Sequence, residues 1–288
     1  MNKNRNCNYK LLDCGEFEKL EQIENVIIRR SAPQAIWERK LNKETWDQYQ
    51  AKYDLQKHAW ELKQGIELPN LKCNNLTFEL RFSGNGQIGI FPEQEPNWRW
   101  LQDVISKADR PLNILNGFAY TGASTLFASS AEKNTNSINV THVDAAAGSV
   151  KWARENCRLS NLENNNIRWI VDDIIKFLTR EFKRGNKYDG IILDPPAFGR
   201  GKKSATWKLD RDLPKLIQLV DQVLSSTPEF IILSCHDKAF GNNELQDNLS
   251  KIKKINNGKI ETVDLTIRSL DGNDLPSGSC ARWIRNLS

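Results

Sequence analysis

The stretch Ile192 to Gly201, ILDPPAFGRG, ends an aliphatic run on a carboxylate and follows it with two prolines and an aromatic ring. Pro195 and Pro196 fix the backbone and remove two N–H donors, leaving a rigid corner that offers acceptors only. Beside Asp194, such a corner suits a planar group that carries amino hydrogens, and Phe198 at its tip has a face on which a base can stack. The bland reading is a proline-terminated strand with Phe198 packed inwards. A second aliphatic run, FIILSCHDK, ends on Cys235 with His236 and Lys238 next to it. A thiolate there could add to an electron-poor ring carbon, and neighbouring cations would lower its pKa. Free cysteine is also among the most buried residue types, so a core role stays open.

Three further strand-like runs end on residues of interest. LNGFAYTGAS exits through Phe118, Ala119, Tyr120, Thr121 and Gly122, where a glycine at a strand-to-helix turn lets backbone approach a ligand. THVDAA closes on Asp144, about 20 positions past that glycine, where a carboxylate can accept ribose hydroxyls or cap the following helix. WIVDDI offers Asp172 and Asp173, as acceptors for an adenine amino group or as caps, with Asp173 preferred. The GxGxxG spacing that holds a dinucleotide pyrophosphate is missing, which argues against NAD. A ribose acceptor and an adenine acceptor without a phosphate loop fit an adenosine ligand, of which S-adenosylmethionine is the common one.

The elements that must position these residues follow from the pattern. From about residue 110, apolar runs of four to six residues alternate with helical segments, which predicts a parallel sheet covered on both faces. The expectation is an α/β fold with a doubly wound, mostly parallel, Rossmann-like domain over 109–288 and a smaller β-rich N-terminal domain over 1–108. KIETVDLTIRS and SCARWIRNLS are candidates for two closing strands. In such a sheet, ligands sit beyond the carboxyl ends of the strands.

Lys+Arg 41 against Asp+Glu 36 gives a formal charge of +5, compatible with a polyanionic partner without requiring one. The loop FGRGKKSATWK places Arg200, Lys202, Lys203 and Lys208 at the ligand edge as a phosphate grip, with Trp207 between them. Trp98, Trp100, Trp152 and Cys157 are read as packing residues. The start MNKNRNCNYK lacks the apolar region of a secretory signal, and no apolar run reaches membrane-helix length. Six scattered cysteines show no metal-type spacing, so a reduced, cytoplasmic protein without a metal is expected.

LNGFAYTG, HVDAA, WARENC, VDDIIKFL and YDGIILDPPAFGRG, in this order, resemble the class I S-adenosylmethionine-dependent methyltransferases. Within them the resemblance is to the group that includes bacterial large-subunit ribosomal RNA cytosine-C5 methyltransferases with one catalytic cysteine, and it covers about residues 85 to 285. It implies that Phe118 to Gly122 wrap the methionine part of the cofactor, Asp144 holds the ribose, Asp173 lies by the adenine, and Asp194 stands between cofactor and target. GIFPEQEPNWRW resembles the segment before the sheet in these enzymes, which adds Gln94 to the cofactor-binding set. Most class I enzymes carry an acidic residue and three glycines in the first loop. Here Asn116 and Gly122 stand instead, as in the group resembled.

The expected activity is methylation of a base in structured RNA, ribosomal RNA first, at cytosine C5 with Cys235 and Asp194 as the catalytic pair. Pro195, Pro196, Phe198, Arg200 and Lys202 would bind the substrate. The two-cysteine scheme is closed, because Ala197 occupies the position after the prolines. If Cys235 is inert, the corner better serves guanine N-methylation. A nucleotide-dependent oxidoreductase and a non-catalytic RNA-binding or assembly protein are the readings from other classes.

Overall fold

The computed structural model describes residues 7–131, 137–199, 207–270 and 273–286. They fall into two units, Met1–Glu93 with Thr266–Ser277 and Gln94–Leu265 with Gly278–Ser288. The division lies earlier than the expected 108. The segment between the two boundaries is an amphipathic helix, and it belongs to the second unit.

In the first unit, β1 (Tyr9–Gly15), β2 (Glu18–Ile23), β3 (Val26–Ser31), β4 (Ala51–Asp54) and β5 (Ala59–Leu62) form one sheet in chain order, and α1 (Lys43–Trp46) precedes β4. All neighbours are antiparallel except β3 and β4. A separate hairpin comprises β6 (Leu71–Cys73) and β7 (Leu76–Phe78). Strict alternation in β3, with Val26, Ile28 and Arg30 buried, marks a sheet with one covered face. Arg30 is tolerated there because Glu21 pairs with it through two bonds of 2.6 and 2.7 Å, and Tyr9 donates to the same carboxylate at 2.7 Å. Burial would push Glu21 up, but Arg30 and Lys19 hold it at about 2. Asp13 is likewise buried. One of its oxygens accepts the amides of Lys40 and Leu41 and the Trp46 indole N–H, which pins the connection into α1.

One cysteine pair departs from the expectation of six reduced thiols. Cys7 lies antiparallel to Cys73 and is joined to it in a disulfide. Their separation of 66 residues gave no hint of this, because only strand pairing brings them together.

The second unit begins with α2 (Glu95–Lys107), followed by β8 (Leu112–Gly117), α3 (Ala123–Ser129), β9 (Ile138–Asp144), α4 (Ala147–Leu159), β10 (Ile167–Val171), α5 (Ile174–Lys183) and β11 (Gly190–Leu193). The two-residue strands β12 (Phe198–Gly199) and β13 (Trp207–Lys208) lead into α6 (Leu209–Val223), β14 (Phe230–Cys235), α7 (Asn242–Ser250), β15 (Gly258–Ile267) and β16 (Leu275–Arg285). The sheet runs β10-β9-β8-β11-β14-β16-β15. Its first five strands are parallel and β16 is antiparallel to β14. The doubly wound sheet and both closing strands are therefore present. The order reverses between β8 and β11, so the ligand crevice of this architecture lies above their carboxyl ends.

Residues along β11 and β14 are buried on both faces, as their continuous aliphatic sequences require. One face packs Ile114, Ile192 and Ile232 with Leu101 and Ile105 of α2 and Ala128 of α3. The other packs Leu115, Ile191, Leu193 and Leu233 with Phe177 of α5 and Leu213, Ile217 and Val220 of α6. Each such side chain contributes about 1.5–3 kcal/mol by burial. Trp98 stacks on Phe127 with ring centroids 4.7 Å apart, and Trp152 and Cys157 are buried on α4, all as packing residues.

The tightest approach is at Gly190, where an added Cβ would stand 2.2 Å from the Phe230 ring. Gly190→Ala is expected to lower stability by about 1–3 kcal/mol through overpacking. Urea unfolding checks this, and an unchanged midpoint would mean the β11–β14 contact is looser than described.

Candidate active site

Strand β8 leaves the sheet through a turn in which Phe118, Tyr120 and Gly122 all have positive φ, at 56°, 48° and 87°. Two non-glycine residues in that region cost about 1–3 kcal/mol each, so the turn must be held. The Ala119 amide donates to the Val143 carbonyl at 3.1 Å, the Tyr120 amide to Asp144 Oδ2 at 2.8 Å, and Asn156 Nδ2 to the Thr121 carbonyl at 2.9 Å. Gly122 is required twice, because a Cβ there would also lie 2.9 Å from Ala153 Cβ.

Asp144 is thus a clamp before it is anything else. Its Oδ1 accepts the Ala146 amide at 2.8 Å, so the carboxylate ties the turn after β8 to the turn after β9. Burial pushes its pKa up, while the two amides draw it down. Each oxygen holds one protein donor and keeps acceptor capacity for a second. That is an acceptor pair for a ligand with adjacent hydroxyls, which would donate to it. Asp173 caps α5, accepting the Lys176 amide at 3.0 Å, which is the alternative open from sequence.

Beneath the turn lies a buried polar chain that sequence reasoning missed. Asn116 Nδ2 donates to Thr125 Oγ1 at 2.9 Å, and that oxygen stands 2.9 Å from His142 Nδ1. Burial, with Arg154 nearby, pushes His142 down to about 3, so it stays neutral. Single polar residues in apolar runs carry no signal of being joined.

At the carboxyl end of β11, Asp194 accepts from three side chains. Ser234 Oγ lies 2.8 Å from Oδ1, and Gln94 Nε2 and His236 Nε2 each lie 3.2 Å from Oδ2. Burial raises its pKa, but these partners, His236 foremost, bring it below the usual aspartate value. Gln94 therefore belongs with Asp194, through a contact the sequence did not suggest. The double-proline corner follows, with Phe198 70% exposed. The Pro196 carbonyl is not available as expected, because the Trp207 indole donates to it at 2.7 Å. Trp207 is correspondingly buried against Phe118 rather than standing in a phosphate grip. Among the described residues nothing donates to the carbonyls of Asp194 or Pro195. Arg200 and Lys202, like Lys203, lie outside the described residues.

Cys235 is not brought to this corner. Side chains alternate along β14, so Ser234 faces Asp194 while Cys235 points into the core packed by α6 and α7, with no exposed surface. Its thiol is pushed up to about 11 by burial and the nearby Asp194 and Asp237, partly offset by the Asp237 amide. The expected activation is reversed. His236 bonds Asp194, and the charges around the thiol are negative.

The profile of the S-adenosylmethionine-dependent methyltransferase family matches residues 19–254. The chain belongs to that family. A solved S-adenosylmethionine-dependent methyltransferase from Agrobacterium tumefaciens is 32% identical, covers 97% of this chain and 91% of its own, and superposes with a TM-score of 0.89. SMU.776, solved as a complex with SAH, shares the fold at 16% identity, with a TM-score of 0.74 over 98% of this chain and 76% of that one. Among curated relatives, the ribosomal RNA large subunit methyltransferase K/L of Buchnera aphidicola subsp. Schizaphis graminum (strain Sg) is 28% identical over 58% of this chain and 22% of its own length. The ribosomal RNA large subunit methyltransferase I of Aeromonas salmonicida (strain A449) is 31% identical over 40% of this chain and 27% of its own. The chain thus spans about a quarter of the length of these relatives. Family membership fits the turn and clamp around Asp144. Among the described residues no cluster could hold a metal, and no helix is long and apolar enough to cross a membrane.

Cys14 and Cys157 are pushed up by burial to about 11, as is Cys235, and Cys280 to about 12. A thiol whose folded pKa exceeds its unfolded value stabilises the fold below the unfolded value, near 8.5, and loses that contribution as pH rises through the folded one. The urea midpoint is therefore expected to fall between about pH 9 and pH 11, less steeply in Cys235→Ala. A flat midpoint over that window would show the thiols to be solvated.

Proposed function

We propose that this chain transfers the methyl group of S-adenosylmethionine to a nitrogen of a guanine base in structured RNA, ribosomal RNA first. One observation carries the choice of nitrogen: the acceptor corner holds an ionised Asp194, while Cys235 faces the other side of the sheet. Pyrimidine C5 requires a thiolate adding to C6. An amino nitrogen requires a carboxylate and a carbonyl that align it, which Asp194 and Pro195 supply. The printed names of the relatives support ribosomal RNA as the substrate class.

The residues present fit the cofactor. Asp144 keeps acceptor capacity for the ribose hydroxyls, and the left-handed Phe118–Gly122 turn stands beside it. When bound, the cofactor supplies an electrophilic methyl on a sulfonium. Phe198 stacks the flipped base, and Asp194 with the Pro195 carbonyl receives its amino hydrogens. As the nitrogen–carbon bond forms, the methyl's bonding pair stays with sulfur and the nitrogen turns cationic. Asp194 stabilises that charge and takes the departing proton, which passes to solvent. A half-buried, preorganised carboxylate opposite a developing cation is worth about 10²-fold in rate. The same reading places the protein in the cytoplasm, with RNA as its partner.

The test uses tritiated methyl donor with ribosomal RNA from cells lacking the gene. The expected result is label in methylguanosine, lost by about 10²-fold in Asp194→Ala with donor binding retained, and kept in Cys235→Ala. A covalent adduct between Cys235 and 5-fluorocytosine RNA would instead establish C5 methylation. Donor binding without transfer to any RNA would leave an RNA-binding role, and tight NAD binding an oxidoreductase.

A further inference from the structure

The polarity of the bonds onto Asp194 must be set by something, because a glutamine amide can present either its donor or its acceptor end. Gln94 offers Nε2, which lies 3.2 Å from Asp194 Oδ2 and 3.1 Å from Ser234 Oγ. Its other end, Oε1, accepts from Asn97 Nδ2 at 2.5 Å. Asn97 Oδ1 in turn accepts from Arg282 Nε at 2.7 Å and from the Cys280 thiol at 3.4 Å. Gln94, Asn97, Ser234 and Arg282 are all buried.

Arginine has donors and no acceptor, and it does not deprotonate in proteins. It cannot be reversed, and neither can the ionised Asp194 at the other end of the series, which only accepts. Arg282 therefore forces Asn97 to turn its oxygen towards β16 and its amino group towards Gln94. That fixes the Gln94 carbonyl on Asn97 and the Gln94 amino group on Asp194. The guanidinium itself is held over the Trp100 ring, 5.3 Å from its centroid, and 3.6 Å from Glu261.

We infer that Arg282, Asn97 and Gln94 form a directed hydrogen-bond relay that orients and charges Asp194, making Arg282 and Asn97 positioning residues for methyl transfer. The relay rests on the nitrogen-methylation reading above, since it acts by keeping Asp194 an aligned acceptor. It also explains why a charged residue is kept on the buried face of β16, where an aliphatic side chain would serve packing as well.

Asn97→Asp separates this role from a structural one. The new carboxylate keeps the bond to Arg282 and adds charge to it, so the fold is retained. It has no N–H for Gln94, whose oxygen then meets a carboxylate in either orientation of the amide, so the bond onto Asp194 is weakened or lost. The expected outcome is a fall in kcat of about tenfold, the loss of roughly one charge-assisted bond, with donor affinity and RNA KM within twofold of wild type. Arg282→Lys, which keeps a donor-only cation, should retain more activity than Arg282→Met, whose Asn97 is free to turn. An Asn97→Asp enzyme with unchanged kcat, or with kcat lost only in step with donor binding or unfolding, overturns the relay. A wild type that transfers no methyl to guanine would instead overturn the underlying reading.

Discussion

A carboxylate partly withdrawn from water at the carboxyl end of a parallel strand is costly to leave unpaired, and the site depends on how Asp194 meets that demand. Ser234 and His236 come from the neighbouring strand and its exit, and Gln94 from the start of α2. Together they outweigh desolvation and keep the group ionised. Their donors arrive from one side, and the two prolines that follow remove backbone N–H groups from the other. The carboxylate is left as an acceptor beside two residues that carry no N–H, which suits the proposed recognition of an amino group and removal of its proton.

The second carboxylate is used differently. Asp144 spends one acceptor position on each oxygen in tying together the turns after β8 and β9. Under the proposed function, loop conformation and ligand binding are coupled: the residue proposed to accept the ribose hydroxyls is the one that holds the left-handed Tyr120. The buried series from Asn116 through Thr125 to His142 stiffens the same turn from below. The turn around Asp144 and the corner at Asp194 thus stand at the ends of neighbouring strands, the first held by backbone amides and the second by side chains.

Much of this was legible in the sequence because strand ends are. Five apolar runs of strand length, each followed by a helical pattern, located Gly117, Asp144 and Leu193 at the rim, and the prolines marked the corner. What stayed hidden depends on which way side chains point. Cys235 and Ser234 are neighbours in a run buried on both faces, and nothing in FIILSC tells which faces the crevice. The answer lies in register with β11 and in the helices packed on each side. Trp207 could not be seen to occupy the Pro196 carbonyl, since their meeting depends on the short β12–β13 pairing. The unit boundary differs because it was set where the alternating pattern begins, whereas α2, just before it, packs against Phe127 in the second unit. Gln94 was found by resemblance, but its contact with Asp194 was not, because the two lie 100 residues apart in the chain.

The account's central claim is that the methyl group ends on nitrogen. The most direct measurement pairs 13C-methyl donor with 15N-labelled RNA and looks for the bond itself by NMR of the isolated modified nucleoside. A one-bond 13C–15N coupling on a guanine is the predicted result. A methyl carbon coupled to no nitrogen, in a cytidine, would contradict it.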